Sequence, residues 1–341
     1  MNPVNTTEIP EHGELRQFSR RRFLGSVAGA TAGAATTGVA TRLLAASDAS
    51  PPAKGIDSII DAHLHFYDPT RPDGVPWPPR SDQLLYRRVM PGDYRGLVAG
   101  TAVAGAVVVE ASPWLEDNQW VLDLAQTERF ILGFVGNLPI GTKEFATQLK
   151  RFAAFSKFRG IRIRDRKLDV LVTDAAFLDD LKMLANQNLS LDLVGGLEIL
   201  TFADQLAKTL PGLRIIIDHL AGVSIDGKTP PAEWLDKMKM VARHRNVYCK
   251  LSGLVEGTGC SDGSAPRGVD FYLPVLTAML EMFGAERLIY ASNWPVSERF
   301  APLAVVQGIV TDFCARQERS LARRVFSSNA RSAYGLGEDK N

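Results

Sequence analysis

The sequence predicts an α/β protein built as a (β/α)8 TIM barrel, on three observations. Eight apolar, strand-like runs alternate with segments of helical periodicity or loop composition. Several runs, such as Ala106-Val107-Val108-Val109 and Ile215-Ile216-Ile217, are almost unbroken apolar stretches. That is how parallel strands covered on both faces read. Polar and charged residues gather where these runs end, which is where a barrel of this class carries its chemistry.

In chain order the expected strands are Ile56–His63, Val103–Glu110, Phe130–Leu138, Gly160–Arg164, Leu189–Val194, Leu213–Asp218, Val247–Leu251 and Leu288–Ser292. Between them, Phe145, Leu149 and Phe152 recur at i, i+4 and i+7, as do Phe177, Leu181 and Leu184. Phe202, Leu206 and Leu210, then Leu276, Leu280 and Phe283, continue the helical pattern. Asp174 reads as a helix N-cap, and Pro211-Gly212 as a stop. An open doubly wound sheet is the alternative. It would usually carry a Gly-rich phosphate turn after the first strand, where this chain has His63-Leu64-His65-Phe66.

Residues 1–50 differ from the rest. Ser19-Arg20-Arg21-Arg22-Phe23-Leu24 precedes an Ala/Gly/Thr-rich stretch, the pattern of a twin-arginine export signal followed by a linker. The expectation is export to a periplasmic or extracellular location, with a membrane anchor if the signal is retained. Residues 51–341 form one domain, near the ~250 residues typical of a single barrel.

Of the 341 residues, 39 are Lys or Arg and 38 are Asp or Glu, so no basic excess points to nucleic acid and no charged run points to a membrane surface. The expected partner is a small-molecule substrate. Cys249, Cys260 and Cys314 show neither paired nor metal-type spacing, and Cys249 reads as a small core residue.

The first strand organises the candidate site. Residues alternate faces along a strand, so Asp61, His63 and His65 are expected to point the same way, toward the barrel mouth. Further strand ends supply Glu110, Asn137, Arg162 with Arg164, Asp192, Asp218 with His219, Lys250 with Ser252, and Asn293. A ring of Arg and Lys around histidines suits an anionic substrate or an acidic sugar lactone. The blander reading pairs Arg162 and Lys250 with Asp192, Asp218 or Glu110. A long Pro-rich loop, Tyr67 to Pro79, follows the first strand and reads as a lid; its Trp77 could stack on a ring substrate or simply pack.

Five stretches in order, Asp61-Ala62-His63-Leu64-His65-Phe66-Tyr67-Asp68-Pro69, Gly160-Ile161-Arg162, Ile217-Asp218-His219-Leu220-Ala221-Gly222, Val247-Tyr248-Cys249-Lys250-Leu251-Ser252-Gly253-Leu254 and Ala291-Ser292-Asn293-Trp294-Pro295-Val296, resemble the amidohydrolase-2 family. That family includes sugar-lactone and pyrone-dicarboxylate lactonases. The closing Ser328-Asn329-Ala330-Arg331 run resembles its C-terminal helix. The resemblance implies a barrel of the metal-dependent-hydrolase type that hydrolyses a cyclic ester or related carbonyl compound. It assigns substrate binding and polarisation to His63, His65, Arg162 and His219. It assigns water activation to an aspartate after strand eight, where this chain has Asn293. An amide can accept a hydrogen bond but takes no proton at neutral pH.

Three readings follow. The first is an exported lactone-type hydrolase with His63, His65, His219 and Asn293 in catalytic roles and Arg162, Lys250, Trp77 and Glu110 binding substrate. Water would be oriented by Asn293 and deprotonated by His219, Glu110 or Glu256. The second is a ligand-binding barrel that has lost its base at Asn293. The third is a metal-dependent hydrolase or decarboxylase with His63 and His65 as ligands. By the resemblance, related decarboxylases hold zinc with the His pair, a strand-five histidine and the strand-eight aspartate; strand five here carries no His, so no cofactor is the first expectation and zinc the alternative.

Overall fold

The computed structural model describes residues 56–164 and 173–337. The export signal expected at residues 1–50 lies outside them. The strands are β1 (Ile59–Leu64), β2 (Val103–Val109), β3 (Ile131–Gly136), β4 (Phe158–Arg164), β5 (Ser190–Val194), β6 (Arg214–Ile217), β7 (Val247–Leu251) and β8 (Leu288–Tyr290). Each pairs in parallel with the next, in sequence order. The chain after β8 returns to β1: the Asn293 N–H donates to the His63 carbonyl at 2.8 Å and the His65 N–H to the Trp294 carbonyl at 2.9 Å. The barrel is therefore nearly closed, as predicted.

The surrounding helices are α1 (Pro91–Leu97), α2 (Asp117–Thr127), α3 (Phe145–Ala153), α4 (Ala175–Asn186), α5 (Leu197–Thr209), α6 (Ala232–Ala242), α7 (Leu273–Phe283) and α8 (Leu303–Ala315). Two shorter ones, α9 (Arg319–Arg323) and α10 (Asn329–Tyr334), close the described chain. The apolar periodicity is what seats them. Phe145, Leu149 and Phe152 of α3 are all fully buried, each stabilising the fold by roughly 1.5–3 kcal/mol. Asp174 caps α4 as expected, its Oδ1 accepting from the Ala176 and Phe177 N–H groups at 2.8 and 3.3 Å. Helix α5 ends two residues before Pro211-Gly212.

Two apolar layers result. The larger lies between strands and helices. The smaller combines Ile60, Ala62, Val107, Ile216 and Ile289 with Ala330, Ala333 and Tyr334 of α10, so the C-terminal helix packs onto the strand face opposite the outer layer. Cys249 is buried, and all three cysteines are free. No helix among the described residues is long and apolar enough to cross a membrane.

One expectation about β1 fails. Asp61 pairs with Ala106 but Leu64 with Val108, so β1 carries one extra residue between them. Such a bulge shifts the alternation of faces. Asp61 consequently does not join the histidines. It accepts from the Tyr94 hydroxyl of α1 at 2.6 Å and from the backbone N–H of Ser292 at 2.8 Å. There it ties the start of the barrel to the end of β8.

Candidate active site

Beyond the bulge, His63 and His65 converge, with their Nε2 atoms 3.3 Å apart. His65 Nδ1 lies 2.9 Å from the Val109 carbonyl, which only accepts, so that nitrogen carries the proton and Nε2 presents its lone pair. His63 Nδ1 faces the Lys250 ammonium at 3.1 Å. Both His63 nitrogens face cationic donors, Nδ1 the Lys250 ammonium and Nε2 the Arg162 guanidinium at 3.4 Å, and a neutral ring accepts at only one of them. Burial, aided by the Lys250 charge, holds His63 well below the usual imidazole range. Burial, aided by Arg162, does the same for His65. Both rings are neutral at physiological pH.

The cations that were expected to ring the histidines are there, and each has a carboxylate. Arg162 donates through Nε to Glu110 Oε1 at 2.8 Å and through Nη2 to the Glu110 carbonyl at 2.5 Å. Its Nη1 stands 3.4 Å from His63 Nε2. Arg164, on the same face of β4, reaches Glu110 Oε1 at 3.2 Å. Lys250 is fully buried between Asp192 at 2.6 Å and Asp218 at 2.8 Å. Tyr334 of α10 donates to the same Asp192 oxygen at 2.8 Å, a contact spanning 142 positions. Burial would lift the Asp218 carboxyl, but Lys250 and His63 outweigh it and hold it well below the carboxylate range. Asp192, pushed up by burial, shares the same ammonium. The pairing alternative of the sequence reading holds: each of these cations has a carboxylate partner.

His219 follows β6 in backbone that L-residues seldom adopt. His219, Leu220 and Ala221 have φ of 51°, 53° and 51°, a run whose cost is of order 1–3 kcal/mol per residue. The turn sets the His219 ring 4.4 Å from that of His63, centroid to centroid, with Nδ1 2.8 Å from the Ser252 hydroxyl. Gly253 makes this possible: a Cβ there would meet the His219 Cβ at 2.7 Å, and its φ is +69°. Burial lowers the His219 imidazole to about 4.

Trp77 on the Pro-rich loop packs edge-on at 5.9 Å from His65 and 5.4 Å from Tyr67, centroid to centroid, and so forms part of the wall. Asn293 has φ 57°, a left-handed conformation that Asn tolerates better than most residues. Its amide does not reach the imidazoles. It donates instead to Glu256 Oε1 at 2.9 Å. The pairing of Asn293 with Glu256, the brace of Asp61 and the reach of Tyr334 were not legible in the sequence, because each joins residues far apart with no local pattern.

Among the described residues, His63, Asp218 and His219 bring possible ligand atoms within 4.8 Å of one another. The 3.3 Å between the two Nε2 atoms also suits two ligands on one tetrahedral ion at ~2.0–2.1 Å each. The donor set therefore fits a zinc-type ion in kind and spacing, with one obstacle. Cations stand at both His63 nitrogens, Lys250 at 3.1 Å from Nδ1 and Arg162 at 3.4 Å from Nε2, and oppose a second positive charge there. The expectation that no cofactor is required gains no support here. Of the expected ligand pair only His63 belongs to the group with Asp218 and His219, and His65 lies beside it at 3.3 Å.

The amidohydrolase family profile matches residues 60–336. An L-fucono-1,5-lactonase from Burkholderia ambifaria is 33% identical over 283 residues, covering 81% of this chain and 95% of that protein. A crystal structure of an amidohydrolase from Burkholderia multivorans with bound HEPES superposes with TM-score 0.73 at 24% identity, covering 82% of this chain and all of that one. A second, zinc-bound crystal structure of a Burkholderia multivorans amidohydrolase gives 0.71 at 24% identity with the same coverage.

Proposed function

Because this chain belongs to the amidohydrolase family and is a hydrolase, we propose that it opens the lactone of a sugar acid. One observation carries the reading: neutral His63 and His65 stand beside the guanidinium of Arg162 and the ammonium of Lys250 at the carboxyl ends of the strands. Donors fixed in a buried pocket stabilise the oxyanion that develops when water adds to an ester carbonyl, at no cost of reorganisation. The B. ambifaria relative, named as a sugar lactonase, supports the same substrate class.

The charge balance favours a neutral substrate over an anionic one. Arg162, Arg164 and Lys250 are matched by Glu110, Asp192 and Asp218. A dicarboxylate would enter a pocket whose cations are already engaged, whereas hydroxyls can share paired donors and acceptors. Glu110 Oε2 is buried without a partner and is available to accept from a sugar hydroxyl. The test is a panel of neutral aldonolactones and carboxylated lactones, followed by acid release. Turnover of neutral sugar lactones that His65→Ala abolishes supports the reading. No turnover of any lactone, or turnover of the carboxylated ones alone, removes it.

A second reading has a divalent ion held by His63 together with Asp218 and His219, as the donor spacing favours. Such an ion, when bound, would polarise the substrate carbonyl as a Lewis acid. The zinc in the B. multivorans structure makes zinc the ion to assay first. Metal content of protein purified without added metal decides it: near one equivalent supports the reading, far below one counts against it. We also propose export through the arginine-led segment at residues 19–24. Fractionation of cells, with an Arg20→Lys/Arg21→Lys/Arg22→Lys variant as control, tests it.

A further inference from the structure

Glu256 lies just beyond β7, in a short turn spanning Glu256–Thr258. The turn is held by backbone bonds to two neighbouring segments. The Gly257 N–H donates to the Gly253 carbonyl at 2.9 Å, and the Gly257 carbonyl accepts from the Ile225 N–H at 2.8 Å. Gly253 is the residue against which His219 packs. On the other side, the Glu256 Oε1 accepts from the Asn293 amide, whose own backbone N–H is bonded to the His63 carbonyl. The carboxylate thus hangs between the ends of β7 and β8, attached on each flank to a segment that carries a site histidine.

Its other oxygen has no partner. Glu256 Oε2 is buried, and no residue forms an ion pair with this carboxylate among the described residues. Glu110, Asp192 and Asp218 also have buried oxygens without a donor, but each of those carboxylates pairs with a cation, and Glu256 does not. The direction of the single bond matters too. A carboxylate only accepts, so Asn293 must turn its NH2 toward it. Asn293 therefore orients a carboxylate and does not act as one.

We propose that Glu256 is the group that takes the proton from the attacking water, with Asn293 as its positioning residue at the strand-eight place where the family resemblance expects an aspartate. The proposal rests on the lactone reading above. One water loses a proton to Glu256 Oε2, and the resulting hydroxide forms the new C–O bond at the carbonyl carbon. The tetrahedral oxyanion collapses, the ring C–O bond breaks, and the leaving oxygen takes the proton back from Glu256. Lactone plus water gives the hydroxy acid, and the carboxylate is regenerated.

The competing bases are less suited. Glu110 leaves its Oε2 free as Glu256 does, but it is ion-paired with Arg162 and Arg164 through Oε1, whereas Glu256 has no ion pair. His219 is lowered to about 4, too weak a base to gain much at neutral pH. Burial, partly offset by Asn293, raises Glu256 to about 7, near the optimum for proton transfer at physiological pH. Tyr272 is the titratable group that feels its charge, and burial together with Cys260 and Glu256 keeps that phenol protonated.

Steady-state kinetics on a sugar lactone that the wild type hydrolyses test the proposal. Glu256→Gln should lower kcat by about 10²–10⁴-fold, with KM changed by much less, and should erase the rise in kcat/KM near pH 7. Formate or acetate should restore part of the rate in Glu256→Ala. If those variants fold poorly, Asn293→Ala serves: losing its hydrogen bond should move the acidic limb to higher pH. A folded Glu256→Gln enzyme with wild-type kcat and limb overturns the proposal, as does an Asn293→Ala limb that stays in place. Absence of wild-type turnover on every lactone overturns the underlying reading instead.

Discussion

Replacing Lys250 by Met removes the ammonium that holds Asp192 at 2.6 Å, Asp218 at 2.8 Å and His63 at 3.1 Å, all fully buried. Breaking a buried ion pair by deleting one partner costs about 3–5 kcal/mol, because the remaining charge has neither water nor counter-ion. For a domain of this size each kcal/mol moves Tm by about 2–4 °C, so the loss should reach roughly 6–20 °C. The pH dependence identifies the cause. In the wild type, Asp218 is held well below its unfolded value. Its stabilisation is present above the unfolded carboxylate pKa of ~3.9 and lost as pH falls through the folded value. In the variant the Coulombic cause of that depression is gone, so Asp218 and Asp192 titrate higher. His63, no longer repelled by Lys250, can protonate and pair with Asp218, 3.6 Å away. The deficit should therefore be largest near pH 8 and shrink toward pH 5. Chemical denaturation of both proteins at the two pH values reads it. A deficit below about 1 kcal/mol, far under the buried-pair cost, or one equal at both pH values, would refute the reasoning.

Three more outcomes follow from the same geometry. The Lys250→Met variant should bind zinc more tightly than the wild type by calorimetry, since the positive charge 3.1 Å from His63 is gone; unchanged or weaker affinity would speak against that role. Gly253→Ala should lose most lactone turnover and about 1–3 kcal/mol of stability, because its φ of +69° and the 2.7 Å approach to His219 both exclude a methyl group; a fully active, stable variant would contradict it. Tyr94→Phe should cost about 1–3 kcal/mol by leaving a buried Asp61 oxygen without its donor, measured by urea unfolding, with kcat/KM little changed because Asp61 lies outside the pocket.

The barrel was readable because its signals are local. Apolar runs such as Val107–Val109 and the i, i+4, i+7 spacing of Phe145, Leu149 and Phe152 each encode an element without reference to the rest of the chain. Strand alternation put Arg162 and Arg164 on one face of β4, where both reach Glu110. The same alternation misled at Asp61, since an inserted residue in β1 leaves no trace in the pattern and moves the carboxylate off the pocket. What lay out of reach depends on packing across the barrel. Tyr334 meets Asp192 across 142 positions, and Asn293 turns its amide to Glu256 only because the left-handed backbone at residue 293 aims it there.

The central claim is that a substrate carbonyl lies among His63, His65, Arg162 and Lys250. A crystal structure of the protein with a sugar acid or unreactive lactone analogue tests it most directly. The account predicts the carbonyl or carboxylate oxygen within hydrogen-bonding distance of Arg162 Nη1, with a water held by Glu256 Oε2. A ligand seated away from the imidazoles, with Arg162 and Lys250 still bound only to their carboxylates, would contradict it.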